Sequence, residues 1–462
     1  MRVQLVQAAY LYRHHTHLHP LGILYIASSL RQKGHEVSVL DMKVEEMAPE
    51  KAIERIKAYD PDAVGISAMT YEAACMHELA ALVRKYKPDM PVIVGGAHPA
   101  NSVERTLKDP NIDNVCIGEG EVTMPDYLET LSDGGDWTQV KGLAGRRNGG
   151  VHYTEARPFI EDIDTIPHPA WDLIPVEKYY YIPRGGIIFK YREFMTLFSS
   201  RSCPYRCIYC HNNLGKKWRP RKPELVVDEI ETLYNNYGIR EFEFMDDMFN
   251  LDLERVQKIC RGILERKMKI SMTFPNGLRA DRMDLETVRW LKKAGMYRTM
   301  YAIESASPRM QTFMKKYVKL EKAREIIKQT ADMGVMTHGA FMLGFPTETH
   351  DEMMQTLRFA WSSAFHTAAF YRVLPFRGSE LHDMVYKDRP EPETSVEQFE
   401  YHSSDINLSD VPEEEVTRLR KLAYQRFYLS PRRLLRILWR LPNKLVLVPY
   451  LIGMFVRRAL QR

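Results

Sequence analysis

The chain has 462 residues, a formal net charge of +5, 45% hydrophobic and 27% charged residues. This length predicts two or three domains, and the composition excludes a disordered or fibrous chain. The mild positive balance does not by itself argue for nucleic acid, and no nucleic-acid partner is expected.

The first six residues, Met1-Arg2-Val3-Gln4-Leu5-Val6, read at once as a strand. No secretory leader pattern is present there, and six cysteines in this length do not make a disulfide framework. A reducing, cytoplasmic location is the expectation.

Residues 1–130 alternate strand and helix. Strands are predicted at 2–7, 36–41, 62–67, 91–94 and 114–117. Helices are predicted at 21–33, 49–57 and 71–87, the second with Pro49 in its first turn, where a missing N–H costs nothing. Short apolar strands separated by helices predict a doubly wound parallel sheet, whose ligands bind beyond the carboxyl ends of the strands. Gly95-Gly96 and Gly118 with Gly120 mark such ends. No G-x-G-x-x-G follows the first strand, so a nicotinamide or flavin dinucleotide is disfavoured. Residues 131–190 break the pattern, with Gly-Gly loops and a proline-rich run at 166–175, and read as an extended connector.

A second series begins near Phe194. Strands are predicted at 194–199, 241–245, 271–274, 297–303, 337–343 and 368–373, with helices at 226–237, 253–267, 285–294, 320–333 and 350–363. Six parallel strands are fewer than the eight of a closed barrel, and their carboxyl ends are where catalytic groups belong. The polar motifs fall there: Asp246-Asp247, Asn276 to Arg279, Glu304-Ser305 and Gly344. After the first strand comes Cys203-x3-Cys207-x2-Cys210, with the aromatic Tyr209 before the last cysteine. Three thiolates suit three irons of a cubic [4Fe–4S] cluster and leave the fourth iron without a protein ligand, where an electron carrier has four cysteines. The competing readings are structural zinc, with His211 as a strained fourth ligand, and a disulfide loop.

The cysteine motif resembles that of the radical S-adenosylmethionine (SAM) enzymes. The resemblance implies that SAM chelates the open iron and is cleaved to a 5′-deoxyadenosyl radical. Asp246 or Asp247 would then accept from the SAM ammonium, Arg279 would pair with its carboxylate, and Glu304 would bind a ribose hydroxyl or face the substrate. Tyr209 and Asn276 join this cofactor-binding set. The Asp246-Asp247 position is often Gly-Gly-Glu in the family, and the departure matches its cobalamin-containing branch. Capping of the next helix is the structural alternative for Asp247 or Asn250.

The run 19–27, Gly65-Ile66-Ser67-Ala68-Met69-Thr70, Val94-Gly95-Gly96-Ala97-His98-Pro99 and Ile117-Gly118-Glu119-Gly120-Glu121 resemble the cobalamin-binding domain that precedes many radical SAM cores. Ser67, Met69, Thr70, Tyr71, Gly95, Gly96, His98, Gly118 and Glu121 are the positions carried over. The D-x-H-x-x-G signature of a cobalt-ligating histidine is absent. His14, His15, His17 and His19 read as a polar loop, and a residue of the Met69 to Tyr71 loop is expected at the lower cobalt face.

Lys216, Lys217, Arg219 and Arg221 read first as a solvated face, then as a reductant-docking patch or an acidic-substrate site. The last 32 residues hold no Asp or Glu and eight Lys or Arg. Residues 431–440 fit a basic amphipathic helix, and 445–456 are apolar but too short to span a bilayer. A peripheral contact with the inner membrane surface is expected, against the alternative of a helix pair packed on the core.

The domains are therefore expected at 1–130 (cobalamin-binding), 131–190 (linker), 191–385 (radical SAM core) and 386–462 (helical tail). The resemblance implies a cobalamin-dependent radical SAM methyltransferase acting on an unactivated carbon of a small or lipid-like substrate. A low-potential flavodoxin or ferredoxin would supply electrons. The alternatives are a cobalamin-linked oxidative cyclase or C–C coupling enzyme like the anaerobic magnesium-protoporphyrin cyclase, and an iron–sulfur protein that does not use SAM.

Overall fold

The computed structural model describes residues 1–9, 18–182, 184, 188–210, 213–388 and 407–444. Among these, 1–182, 213–215 and 376–388 fall in one compact unit, and 184–210, 216–375 and 407–444 in another.

The first unit carries strands β1 (Arg2–Gln7), β2 (Glu36–Asp41), β3 (Ala63–Ser67), β4 (Val92–Gly95), β5 (Asn114–Cys116), β6 (Leu143–Arg147) and β7 (Gly150–Tyr153). Its helices are α1 (Leu21–Gln32), α2 (Pro49–Tyr59), α3 (Ala73–Tyr86), α4 (Ala97–Asn101), α5 (Val103–Thr106) and α6 (Gly120–Ser132). The sheet order is β2-β1-β3-β4-β5-β6-β7, with β1 to β5 parallel. Period-two alternation sends Val3 and Leu5 to one face, against Ile23, Leu30 and Leu128 of α1 and α6. Val6, Val64 and Val94 face the other side, against Ile53, Ile56, Leu79 and Val83 of α2 and α3. The doubly wound expectation holds, and the switch in strand order lies at β1 and β3.

The expected connector is corrected in part. Residues 143–153 form an antiparallel hairpin that extends the sheet past β5. Its turn is Asn148-Gly149, with φ of 50° and 80°. Both angles are those of a type I′ turn, the connection whose twist matches paired strands. The same Asn-Gly reads as a loop when no flanking strands are recognised.

The second unit contains β8 (Phe194–Leu197), β9 (Ser200–Arg201), β10 (Arg219–Pro220), β11 (Glu241–Phe244), β12 (Ser271–Leu278), β13 (Met296–Glu304), β14 (Met336–Leu343) and β15 (Thr367–Arg372). Six of these form one parallel sheet in the order β15-β14-β13-β12-β11-β8, as predicted. The connecting helices are α7 (Pro223–Asn236), α8 (Leu253–Glu265), α9 (Leu285–Ala294), α10 (Pro308–Phe313), α11 (Leu320–Asp332) and α12 (His350–Ser362). Asp252 caps α8 and Asp284 caps α9, each accepting an N–H from the third residue of its helix. The cap before α8 is thus Asp252, not Asp247 or Asn250. Farther on, α13 (Glu380–Tyr386) belongs to the first unit, and α14 (Glu413–Tyr428) and α15 (Pro431–Arg440) to the second. Among the described residues no helix is long and apolar enough to cross a membrane.

Candidate functional site

In the second unit, the three motif cysteines occupy a loop closed at its base. β9 and β10 pair across it, Arg219 opposite Arg201 and Pro220 opposite Ser200. The loop is docked farther along where Ile208 N–H donates to the Met314 carbonyl at 3.1 Å. Ser202, just before Cys203, has φ 72°. A left-handed backbone at a non-glycine residue costs energy and is tolerated where its surroundings impose it.

All three thiols are free. Burial pushes the Cys203 thiol up, and the neighbouring Cys207 and Asp247 add to this. Among the described residues no three His, Cys, Asp or Glu side chains converge to hold a single ion. A cubic cluster asks for something different, one sulfur on each of three irons. Three unpaired thiols spread along one clamped loop fit that donor set. His211 lies outside the described residues.

The Asp246-Asp247 pair divides by burial. Asp246 is 2% exposed. It accepts from Ser199 N–H (3.1 Å), Ser199 Oγ (2.7 Å) and Ser200 Oγ (2.5 Å). Burial pushes its carboxyl up, and hydrogen bonds from Ser200 and Ser199 with the charge of Arg255 pull it back. Asp246 therefore ties β11 to the strand entering the cysteine loop. Asp247 is the exposed member.

Arg279 is engaged by the chain itself. Its Nε donates to Asp281 at 2.9 Å, and its Nη2 to the carbonyls of Lys316 (2.6 Å) and Tyr317 (3.2 Å). The guanidinium also lies 3.8 Å from the centre of the Tyr205 ring. These contacts commit it inside the chain, where it fixes the backbone at Lys316 and Tyr317. Asn276 donates to the Met245 carbonyl at 2.7 Å, beside the Asp pair.

Glu304 ends β13 with φ 64°, after a register shift against β14. It is 7% exposed, and its Oε1 accepts from Lys316 Nζ at 2.9 Å. Lys316 also donates to Tyr209 OH at 3.1 Å, and Tyr209 lies 3.4 Å from the same carboxylate oxygen. Burial and the Glu304 charge hold the Tyr209 phenol protonated. Lys315 and Tyr317 have φ of 55° and 54°, so Lys316 sits between two left-handed residues. The sequence reading missed Lys316; its only signal was a lysine pair following a short helix.

The basic run after the cysteines is corrected at two of its four positions. Arg219 and Arg221 are 3% and 5% exposed, not a solvated face. Arg219 donates to Ser202 Oγ at 3.2 Å, and Arg221 pairs with Glu229 of α7. They stiffen the base of the cysteine loop.

In the first unit the strand ends carry the remaining candidates. Gly96 has φ +94°, and a Cβ there would lie 2.9 Å from Ser67 Oγ and 3.0 Å from the Ala68 carbonyl. Only glycine fits, and the β3 and β4 ends can close together. His98 is 5% exposed, and burial first, then the charge of His77, hold its ring neutral with a pKa of about 4. Gly118 is exposed and lines a cavity of about 710 Å³ with Arg105, Tyr153, Arg157 and Phe159. Glu121 is buried in the first turn of α6.

Met69, Thr70 and Tyr71 sit on a short turn that is pinned from beneath. Buried Glu72 accepts from Met69 N–H (2.8 Å) and Gln7 Nε2 (2.9 Å) and pairs with Lys43. The pinned turn leaves Met69 44% exposed. Asp41 accepts from Tyr179 OH at 2.6 Å, and Tyr179 stacks on His19 with ring centres 4.3 Å apart. These supports were not legible as a motif. His14, His15 and His17 lie outside the described residues. A glycine cradle, an exposed turn and polar groups at one end of a parallel sheet fit a bulky cofactor laid over the strand ends.

Comparison with known proteins gives this geometry its context. Residues 12–128 match the B12 binding domain and residues 197–360 the Radical SAM superfamily. An uncharacterised methyltransferase of Pyrococcus horikoshii is 31% identical over 420 residues, covering 90% of this chain and 89% of that protein. The anaerobic magnesium-protoporphyrin IX monomethyl ester cyclase of Synechocystis is 27% identical over 74% of this chain and 68% of its own. The radical SAM methyltransferase TsrM of Kitasatospora setae, solved with cobalamin and a [4Fe–4S] cluster, superposes with a TM-score of 0.69 at 19% identity, over 84% of this chain and 78% of its own. The chain belongs to the cobalamin-dependent radical SAM enzymes, whose cofactors are a [4Fe–4S] cluster, SAM and cobalamin.

Proposed function

We propose that this enzyme methylates an unactivated carbon of a small or lipid-like molecule. The observation that carries the reading is the likeness to a methyltransferase along nine-tenths of the chain, joined to a three-thiol loop in one unit and a glycine-lined sheet end in the other. When bound, the reduced cluster with SAM supplies a hydrogen-abstracting radical, and cobalamin supplies a methyl group.

The chain's part is to bind, orient and exclude water. Cys203, Cys207 and Cys210 would hold three irons. Exposed Asp247 would receive an ammonium, and Asn276 would steady that edge. Tyr209, Glu304 and Lys316 would form a polar floor, with Lys316 offering a cation to a carboxylate and Glu304 an acceptor to a hydroxyl. Asp246 and Arg279 would position these groups through the backbone. Ser67, Met69, Thr70, Tyr71, Gly95, Gly96, His98, Gly118 and Glu121 would surround the corrinoid. The neutral ring of His98 is a polar contact without charge. The partners of this reading are a low-potential electron donor and a substrate met at the inner face of the membrane.

Anaerobic incubation with reductant, SAM and candidate substrates tests it. Methylation adds one CH2 to the product and leaves both deoxyadenosine and demethylated SAM. The second reading is oxidative cyclisation, favoured by the cyclase relative. It gives deoxyadenosine without the added CH2, and that product would replace the proposal.

A further inference from the structure

The last helix among the described residues, α15, is mounted inside out. On most surface helices the charged face meets water and the apolar face meets the core. In α15 the inward side carries Arg433, which is 7% exposed. Its guanidinium donates to the carbonyls of Phe365 (3.1 Å), Phe427 (2.9 Å), Trp361 (3.0 Å) and Ser363 (3.2 Å). Trp361 and Ser363 lie at the carboxyl end of α12, and Phe427 lies in the last turn of α14. One cation thus satisfies orphan carbonyls at two helix ends, where the helix dipoles are negative. It also sits 3.6 Å from the centre of the Phe427 ring. Arg436 adds a bond to the Ala364 carbonyl at 3.2 Å, and Ile437 packs with Met336 and Leu441.

With that side fixed, the opposite side is turned outward. Leu434, Leu435, Leu438 and Trp439 share one face of the helix and are 38%, 67%, 44% and 74% exposed. Leu429, just before the helix, is 73% exposed. Such a cluster is not the scatter of single apolar residues that any surface shows. Exposed Arg432 and Lys444 flank it, and residues 431–462 contain no acidic side chain.

We infer that α15 is an interfacial anchor that lays Leu435, Leu438 and Trp439 into the headgroup region of an anionic bilayer, with Arg432 and Lys444 paired to lipid phosphates. Charge complementarity selects this occupant: an apolar face on a segment that carries cations and no acid matches an anionic lipid surface, and tryptophan is the side chain suited to its boundary. The inference rests on the membrane placement in the proposed function but needs no step of its chemistry.

The test is flotation of the cofactor-loaded full chain with vesicles of phosphatidylcholine alone or with about a third phosphatidylglycerol. The chain is expected to float with the anionic vesicles only. The double variant Leu435→Glu, Trp439→Glu should reduce the bound fraction roughly tenfold or more, since two large apolar groups no longer leave water. An unchanged circular-dichroism spectrum would show that the variant folds. Absence of binding, or equal binding by the variant, overturns the inference. So does a dimer in size-exclusion chromatography that the double variant dissolves, because a second copy then covers the face. Protection of Trp439 from an aqueous quencher without lipid, lost on deleting residues 445–462, assigns the cover to the chain's own tail and likewise overturns it. Deoxyadenosine formation, read separately in detergent-free buffer, reports on the enzymatic reading whatever the vesicles show.

Discussion

Lys316, Glu304 and Tyr209 illustrate how a site is assembled from residues that no motif joins. Glu304 and Lys316 are both nearly buried, and burying a charge is tolerated only when it is paired. Their mutual contact at 2.9 Å therefore stabilises both, and both hold Tyr209 of the cysteine loop. Lys316→Met would strand the carboxylate. Equilibrium dialysis of labelled SAM against the reconstituted enzyme should show affinity reduced roughly tenfold with iron content retained. Unchanged affinity would remove this trio from the cofactor site.

Glu348 offers a second residue-level test. It is fully buried after β14 and accepts N–H bonds from Gly344 (2.7 Å) and Phe345 (3.1 Å). Burial pushes its carboxyl up to about 7 against those two bonds. The folded state thus holds its proton more tightly than the unfolded state. Stability from this group is fully present below the ordinary carboxylate range and is lost as pH rises toward 7. Glu348→Gln keeps the acceptor and removes the titration. Between pH 5 and 7.5 the wild type should lose on the order of 1–3 kcal/mol relative to the variant in urea unfolding. Parallel pH profiles would contradict the shift.

At the scale of elements, the two β–α series were legible because apolar period and helix length fix them locally. The six predicted strands of the second unit coincide with β8 and β11 to β15 within a few residues. The cysteine loop was legible for a different reason: three thiolates in eight residues have few uses. Three features were hidden. The β6–β7 hairpin was read as part of a connector because one of its strands ends in exposed arginines. The burial of Arg219 and Arg221 depends on β9 pairing with β10, a contact of residues about twenty apart in sequence. Nor does a sequence show which of two adjacent aspartates faces the Ser199–Ser200 strand end. The hairpin gives a clean backbone test. Gly149 has φ +80° and open space where a Cβ would stand, so Gly149→Ala introduces strain without a clash. Chemical denaturation should show a loss of about 1 kcal/mol in the first unit, with deoxyadenosine formation unaltered. No loss would mean that the turn is not type I′.

For the molecule as a whole, the chemistry divides along the two units. The first offers a parallel sheet whose β4 end only glycine can complete. The second offers a clamped thiol loop beside exposed Asp247 and a Glu–Lys–Tyr trio. The family, fold class and cofactors followed from motifs that the structure places at strand ends, as parallel sheets require. The substrate did not follow, because no side-chain pattern in residues 280–385 names one. What did emerge only from the coordinates is the anchoring of α15 by buried Arg433, which turns outward the apolar face of a helix already read as basic and amphipathic.

The account depends on three sulfur donors and one iron corner left for SAM. The most direct measurement is 5′-deoxyadenosine released from SAM and dithionite by anaerobically reconstituted enzyme, wild type beside Cys207→Ala. The wild type should release it, and the variant should release none. Equal release by the Cys207→Ala enzyme with its cluster intact would contradict the ligand assignment and the chemistry built on it.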